Sequence, residues 1–190
     1  MKNTIESHIK SSIATKEEFL KSQVANIESA AKAIIESFKA GHKLLVFGNG
    51  GSAADSQHIA AELVGRFKME RKALPAIALT ANTSILTAVA NDYGYDVVFS
   101  RQIEALGVKG DVALGISTSG NSRNVIEALK TARGAGMRTI ALSGGDGGSM
   151  KGEADISIVV ATKDTPRVQE SHILIAHILC TLIEDGMFKK

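Results

Sequence analysis

Short apolar runs alternate with helical patterns along most of the chain. The runs predict five strands, at residues 43–48, 76–79, 111–117, 138–143 and 155–160. Between and after them, apolar residues recur at helical spacing and predict helices at residues 52–64, 83–90, 99–106, 124–133 and 166–187. Continuous apolar strands separated by helices indicate a parallel sheet covered on both faces. Because crossovers are right-handed, we predict a single α/β domain with a doubly wound five-stranded parallel sheet, over residues 42–190.

The first 41 residues precede this alternation and form a separate N-terminal helical segment, which we expect to serve oligomerisation. Its apolar positions alternate spacings of four and three, at Leu20, Val24, Ile27, Ala31, Ile34 and Phe38, and continue upstream at Ile5, Ile9 and Ile13. We predict one long helix, or two in succession, ending near Gly41. A small domain covers so long a helix poorly, so we expect part of the stripe to pack on another subunit. The alternative is an amphipathic helix lying on its own sheet.

The last predicted helix is apolar almost all round, which indicates burial on most sides. Gln169 and His177 are separated by eight residues, which rotates them by only about 80° around the helix axis. The two side chains can therefore share a face. His172 lies off that face, and we expect it at the solvent or in a subunit interface.

Composition excludes several classes of function. The chain has 22 basic and 20 acidic residues and a net charge of +2, which gives no electrostatic case for binding nucleic acid or a membrane surface. Aromatic residues make up 4% and Trp is absent, which argues against base stacking. Cys180 is the only cysteine, and the N-terminus lacks the apolar core of a signal peptide. No window approaches about 18 consecutive apolar residues. We expect a cytoplasmic protein.

The stretch from Leu44 to Glu62 reads LLVFGNGGSAADSQHIAAE and carries the densest chemistry. A strand ends at Gly48, a glycine-serine loop follows, and the next helix presents His58 and Glu62 one turn apart. Ligands bind where such loops lead from parallel strands into helix N-termini. The loop formally matches G-x-G-x-x-A, but the second strand ends at Thr80 without the acidic residue of a dinucleotide site. We therefore expect an active site that does not bind nicotinamide or flavin.

A second loop, Ser117-Thr118-Ser119-Gly120-Asn121-Ser122, also opens a helix at a strand end. Four hydroxyls beside the N–H groups of a helix N-terminus would make a neutral cradle for a monophosphate. The alternative, a Ser/Thr-rich N-cap, explains one or two of these residues but not four. Asn91 and Asp92 end a short helix and could bind sugar hydroxyls, although such a pair is more often a plain helix end.

The chain also contains the ligand types of a metal centre. Two imidazoles and a carboxylate are common zinc ligands, and an amide oxygen is a rare fourth. His58, Glu62, Gln169 and His177 would supply this set if the first and last helices of the sheet domain meet. Spacing alone leaves a surface salt bridge between His58 and Glu62 as the alternative.

The motifs together resemble the sugar isomerase (SIS) domain family and, within it, the phosphoheptose isomerases. They are GNGGSAADSQHIAAEL at residues 48–63, AND at 90–92, STSGNS at 117–122 and RVQESHILIAH at 167–177. The resemblance implies that Asn49, Gly50, Gly51, Asn91, Asp92 and Gln169 contact the sugar and that Ser117, Thr118, Ser119 and Ser122 take the phosphate. It also implies one zinc ion per subunit, held by His58, Glu62, Gln169 and His177, and a homotetramer with active sites between subunits.

The activity implied is the interconversion of sedoheptulose 7-phosphate and D-glycero-D-manno-heptose 7-phosphate, the first step towards nucleotide-activated heptose. An aldose–ketose isomerisation needs a carboxylate that moves a carbon-bound proton and a second group for the oxygen protons. Glu62 and His177 fit these roles. The alternatives are a non-catalytic SIS protein, like those that associate with the bacterial replication initiator, and an isomerase or sensor for another phosphosugar. Pro166 stands where some members carry Asp, and it has no assigned role.

Overall fold

Five parallel strands form one sheet in the order β2-β1-β3-β4-β5 in the computed structural model, which describes residues 1–189. The strands are β1 (Leu44–Gly48), β2 (Ala76–Ala78), β3 (Val112–Ser117), β4 (Arg138–Gly144) and β5 (Ile156–Val160). All five predicted strands are confirmed, with β2 shortened to three residues. In the centre of the sheet, Gly48 of β1 is in register with Ile116 of β3, so the loops after these two strands start side by side.

Eight helices accompany the sheet in the described part of the chain: α1 (Lys2–Ser22), α2 (Val24–Lys39), α3 (Gly51–Val64), α4 (Thr83–Tyr93), α5 (Ser100–Leu106), α6 (Arg123–Gly134), α7 (Met150–Glu153) and α8 (Thr165–Phe188). The helices predicted after each strand are confirmed to within a few residues. The four-residue helix α7 was not predicted, because so short a segment has no measurable apolar period.

Side-chain alternation along the strands divides the core into two layers. Leu44 and Val46 point to the layer formed with α1, α2, α3 and α8, while Leu45 and Phe47 point to the layer formed mainly with α5 and α6. All five residues of β1 are buried. The sheet is therefore covered on both faces, as a doubly wound parallel sheet requires.

The N-terminal segment forms two helices, which meet at Gln23, and its apolar stripe divides into two parts. From Ile27 to Phe38 the stripe is buried in the domain's own core. The upstream part is not, because Leu20 and Val24 are 64% and 54% exposed, and Ile5, Ile9 and Ile13 are exposed as well. The half from Ile27 to Phe38 thus lies on the protein's own core, whereas packing of the exposed half on another subunit stays a prediction. The exposed half borders an apolar groove of about 590 Å³ between α1, α2 and α8.

One helix of the described chain, α8, has the length and apolar composition that a membrane crossing would need. Here it contacts α1, α2, α3 and the strands β4 and β5. Its apolar character is accounted for by this packing, because a helix covered on most sides is apolar on most sides.

His172 is buried, and the expectation that it lies at the solvent or in an interface is wrong. Only 1% of the residue is exposed, on the side of α8 that packs on the sheet. Burial lowers the pKa of His172 to about 4, because the charged imidazole is poorly solvated there. At neutral pH this histidine is an uncharged core residue.

This burial predicts a specific loss of stability in acid. The pKa of His172 is lowered from 6.5 in the unfolded chain to about 4 in the folded protein. The unfolded state therefore binds the extra proton, and stability is lost as pH falls through this window, by about 3 kcal/mol in total. Urea unfolding at pH 7 and pH 4.5 should show a smaller loss in His172→Gln than in the wild type. His8→Gln removes an exposed histidine and should behave like the wild type, whereas an equal loss in all three proteins would contradict the prediction.

Candidate active site

The glycine-serine loop after β1 brings its backbone closer to other segments than a side chain would allow. A Cβ atom on Gly48 would lie 2.8 Å from the carbonyl oxygen of Ile116, and one on Gly51 would overlap the amide of Gln169. Gly50 has φ +55°, a left-handed conformation that favours glycine. The loop therefore lies against β3 on one side and α8 on the other, with Asn49 half-buried between them.

A titratable cluster lies where α3 meets α8. The Nε2 atoms of His58 and His177 are 3.1 Å apart, and His58 Nε2 is 3.3 Å from Glu62 Oε1. The three side chains can present one ligand atom each, with all three atoms within 4.8 Å of one another. Two imidazole nitrogens and one carboxylate oxygen at this spacing fit a divalent metal of the zinc type. This part of the predicted constellation is brought together by the fold.

Gln169 lies on the same helix pair, two turns from the cluster. Its amide is against Gly51 in the first turn of α3, while His177, eight residues later on α8, meets His58. The two helices thus approach each other at both points. The prediction that Gln169 and His177 share a face of α8 is consistent with this, since both side chains face α3.

Asp55 is a titratable group beside this cluster that the sequence did not single out. It is half-buried on α3, one turn before His58. Desolvation raises the pKa of the Asp55 carboxyl, and the nearby imidazoles of His58 and His177 oppose this rise only in part. At neutral pH, the neutral form of this carboxyl is therefore easier to reach than it is in an exposed aspartate.

A buried ion pair holds the segment that follows α3. Glu184 of α8 is 1% exposed and accepts hydrogen bonds from the backbone N–H groups of Phe67, Lys68 and Met69 and from Arg71 Nε, at 2.9–3.1 Å. Burial acts to raise the pKa of Glu184, but these donors outweigh it, and the pKa lies below its usual value. The carboxylate is therefore charged at neutral pH and fixes the path of the loop.

The same ion pair supports both members of the proposed catalytic pair. Arg71 donates to the backbone carbonyl of Glu62 at 2.8 Å and to that of Leu63 at 2.7 Å, so the last turn of α3 is capped. The loop places the ring of Phe67 against His177, with ring centroids 5.5 Å apart and an interplanar angle of 22°. Neither Phe67 nor Arg71 was identified from the sequence, because no local pattern marks a residue that acts through a distant helix.

The serine loop after β3 gathers its hydroxyls at the start of α6. Ser117 Oγ is 2.8 Å from Ser122 Oγ and 3.4 Å from Ser119 Oγ. Ser119 Oγ also accepts from the backbone N–H of Asn121. Thr118 and Ser119 border a polar cleft of about 370 Å³ between this loop and the loop after β4. The loop thus has the hydroxyl and N–H donors that a phosphate group needs.

The amide and carboxylate at the end of α4 make no side-chain hydrogen bond to the cluster in the described part of the chain. Asn91 and Asp92 are both exposed, and the side-chain hydrogen bond recorded for them in the described chain joins one to the other, at 2.8 Å. No residue of α4 is buried. Two other residues, which the sequence did not reveal, reach Asn49 instead: Asn124 of α6 and Tyr95, which follows α4.

Comparison with known proteins places the fold and these motifs in a family. The sequence model of the SIS domain family matches residues 7–144, which is most of the chain. The chain therefore belongs to the SIS domain family. It is 54% identical over 190 residues to the phosphoheptose isomerase of Clostridium acetobutylicum, covering 99% of this chain and 97% of that protein. It is 62% identical over 164 residues to that of Citrifermentans bemidjiense, covering 86% and 85%. Within the SIS family, it groups with the phosphoheptose isomerases, a family of enzymes.

Solved structures agree with this assignment. The phosphoheptose isomerase of Neisseria gonorrhoeae superposes with a TM-score of 0.92 at 45% identity, over 97% of this chain and 98% of that one. The enzyme from Francisella tularensis gives a TM-score of 0.93 at 40% identity, over 96% and 97%. The similarity includes the N-terminal helices as well as the sheet, so the complete architecture is that of the family.

Proposed function

We propose that the protein interconverts sedoheptulose 7-phosphate and D-glycero-D-manno-heptose 7-phosphate in the cytoplasm. The observation that carries this proposal is the meeting of His58 and Glu62 from α3 with His177 from α8. The loop that leads into α3 starts side by side with a loop rich in hydroxyls. The relatives that cover nearly the whole chain are phosphoheptose isomerases, which supports this substrate over other phosphosugars.

The reaction moves a proton between C1 and C2 through an enediol. Glu62 is the base that removes the carbon-bound proton and returns it to the neighbouring carbon, and His177 moves the proton between the two oxygens. The ring of His177 is held from two sides, since Phe67 stacks on it and His58 meets its edge at a centroid distance of 5.3 Å. Such contacts limit rotation of the imidazole and keep its nitrogen aligned with the substrate oxygens.

Substrate binding uses the loops after β1 and β3 together with residues of α4 and α8. Ser117, Thr118, Ser119 and Ser122 take the phosphate together with the N–H groups that begin α6. Asn49, Gly50, Gly51, Asn91, Asp92 and Gln169 contact the sugar. Since β1 and β3 are neighbours, the two loops start side by side and a sugar phosphate can extend from one to the other.

A zinc ion, one per subunit, would be held by His58, Glu62, Gln169 and His177. His58, Glu62 and His177 fit such an ion, because they present ligand atoms within 4.8 Å of one another. Gln169 is the fourth ligand that the family resemblance implies. Zinc bound there would polarise the substrate carbonyl. Glu62 keeps the role of base in this assignment.

The protein assembles as a homotetramer with active sites between subunits. Leu20 and Val24 remain exposed beside an apolar groove, and Ile85 of α4 is also exposed. Exposed apolar patches of this kind mark contact surfaces between proteins. Asn91 and Asp92 lie on the exposed helix α4. A closed symmetric assembly covers both surfaces and brings residues of one subunit to the site of another.

One test of this function concerns the base. Glu62→Gln should lower turnover of sedoheptulose 7-phosphate by about 10²–10⁴-fold, because the amide cannot accept the carbon-bound proton. Formation of the aldose is the measurement, and thermal unfolding checks that the fold survives. Glu70→Gln changes an exposed glutamate and should leave turnover unaltered. Full activity in Glu62→Gln would remove this residue from the role of base, and a wild type that binds the sugar phosphate without turnover would favour a non-catalytic SIS protein.

Another test concerns the metal. Protein purified without chelator and dialysed against trace zinc should hold about one zinc ion per chain, since imidazole-rich sites prefer zinc. Elemental analysis should show most of this zinc lost in His58→Gln and kept in His8→Gln, which alters an exposed histidine outside the cluster. Equal zinc contents in the two variants would place the metal elsewhere.

Assembly is tested at the exposed half of the stripe. Leu20→Lys and Val24→Lys should dissociate the tetramer at micromolar concentration, as measured by light scattering, because each places a charge in an apolar contact. Ile27 is unsuitable for this test, since it is 5% exposed and packs in the domain's own core. Val108→Lys is a matched control, because Val108 is 52% exposed and does not line the groove. Wild-type protein that is monomeric and fully active would contradict the assembly.

A further inference from the structure

Two asparagines from neighbouring loops are joined by a pair of hydrogen bonds. Asn49 Nδ2 donates to Asn124 Oδ1 at 2.9 Å, and Asn124 Nδ2 donates to Asn49 Oδ1 at 2.9 Å. Asn49 lies in the loop after β1, and Asn124 is the second residue of α6, after the serine loop. Asn124 is 3% exposed. The two residues are 75 positions apart in the chain, so only the fold brings them together.

The hydrogen bonds of Asn49 determine what it can offer to a ligand. Its carbonyl oxygen accepts from Asn124 and also from the hydroxyl of Tyr95, at 3.1 Å, so both lone pairs are used. One of its two N–H groups is committed to Asn124. The remaining N–H is the group left for a substrate, so Asn49 meets a sugar oxygen as a donor.

The same hydrogen bonds connect the two halves of the substrate site. The strands fix the separation of the loops only up to Gly48 and Ile116, where their register ends. Beyond that point, Asn49 belongs to the loop proposed to bind the sugar, and Asn124 follows Ser122 of the loop proposed to bind the phosphate. A reciprocal amide pair has a fixed geometry, and a rotation of either amide breaks both bonds. The separation and orientation of the loops therefore depend on it.

We propose that Asn124 is a positioning residue, which orients the free N–H of Asn49 toward the sugar. It also holds the loop of Asn49 (the sugar loop) at a set distance from the serine loop, residues 117–122 (the phosphate loop). Asn124 itself is buried and acts through Asn49. This role rests on the proposed function, because it requires the sugar at Asn49 and the phosphate at the serine loop.

The test is a double-mutant cycle on the isomerase reaction with Asn124→Ala, Asn49→Ala and the double variant. Asn124→Ala should lower kcat/KM for sedoheptulose 7-phosphate by roughly 5- to 100-fold, the effect of leaving a buried polar partner unpaired. The double variant should be no worse than Asn49→Ala alone, because Asn124 acts through Asn49. Losses that multiply in the double variant would overturn the proposal.

Inhibition by inorganic phosphate provides a second readout. A general loss of structure would weaken this inhibition, whereas the proposed role of Asn124 leaves it unchanged. The inhibition constant of phosphate should stay within about twofold of the wild-type value in Asn124→Ala, since the serine loop keeps its own hydroxyls. A large rise in this constant would show that Asn124 maintains the phosphate loop itself and would overturn the proposal. Asn124→Ser, a neutral side chain too short to keep both hydrogen bonds to Asn49, should show the same selective defect and covers the case in which the alanine variant does not fold.

Gln102 is the matched control for a buried amide outside the site. It is 5% exposed and donates to the backbone carbonyls of Leu79 and Val98. Gln102→Ala should lower the melting temperature, and any loss of kcat/KM should multiply with that of Asn49→Ala. A wild-type protein without isomerase activity would overturn the proposed function. An active wild type, sensitive to Asn49→Ala but not to Asn124→Ala, would overturn only the role of Asn124.

Discussion

The packing of α3 against α8 is the contact on which the rest of the site depends. It places Gln169 against Gly51 at one end and His177 beside His58 at the other. A shift of α8 by a single residue would turn its side chains by about 100° and remove both contacts. Since α8 is also covered by α2 and the sheet, its rotation is set by the hydrophobic core. The chemistry of the site therefore depends directly on apolar packing.

Buried polar groups then add what apolar packing cannot specify. The ion pair of Glu184 and Arg71 is fully buried, and breaking either partner would leave an unpaired charge in the core. Its donors and acceptors fix the end of α3 and the loop that carries Phe67. On the other side of the site, the paired amides of Asn49 and Asn124 connect two loops. Arg71, Glu184 and Asn124 support the site in this way without needing to touch the substrate themselves.

The surface of the single chain leaves two regions uncovered, namely α4 and the start of the apolar stripe. Most strands are buried on both faces, yet α4 buries no residue and the start of the apolar stripe on α1 and α2 is exposed. Exposed apolar area of this extent is costly in water unless another surface covers it. In the proposed tetramer, a neighbouring subunit covers the groove beside Leu20 and Val24. The same assembly brings the exposed Asn91 and Asp92 to a substrate site.

Local patterns in the sequence were sufficient for the five strands and the helices between them, because alternation and glycine placement act over a few residues. Ligand binding by the loops after β1 and β3 stays a prediction. The i, i+4 spacing of His58 and Glu62 also survives as an observed contact. Only the tertiary structure decided which of the remaining polar residues are buried and what they meet. His172 was assigned to the surface and lies in the core, while Phe67, Arg71 and Asn124 were not identified at all. Their partners are many positions away in the chain, and no local period records a contact that exists only after α8 and α6 have packed on the sheet.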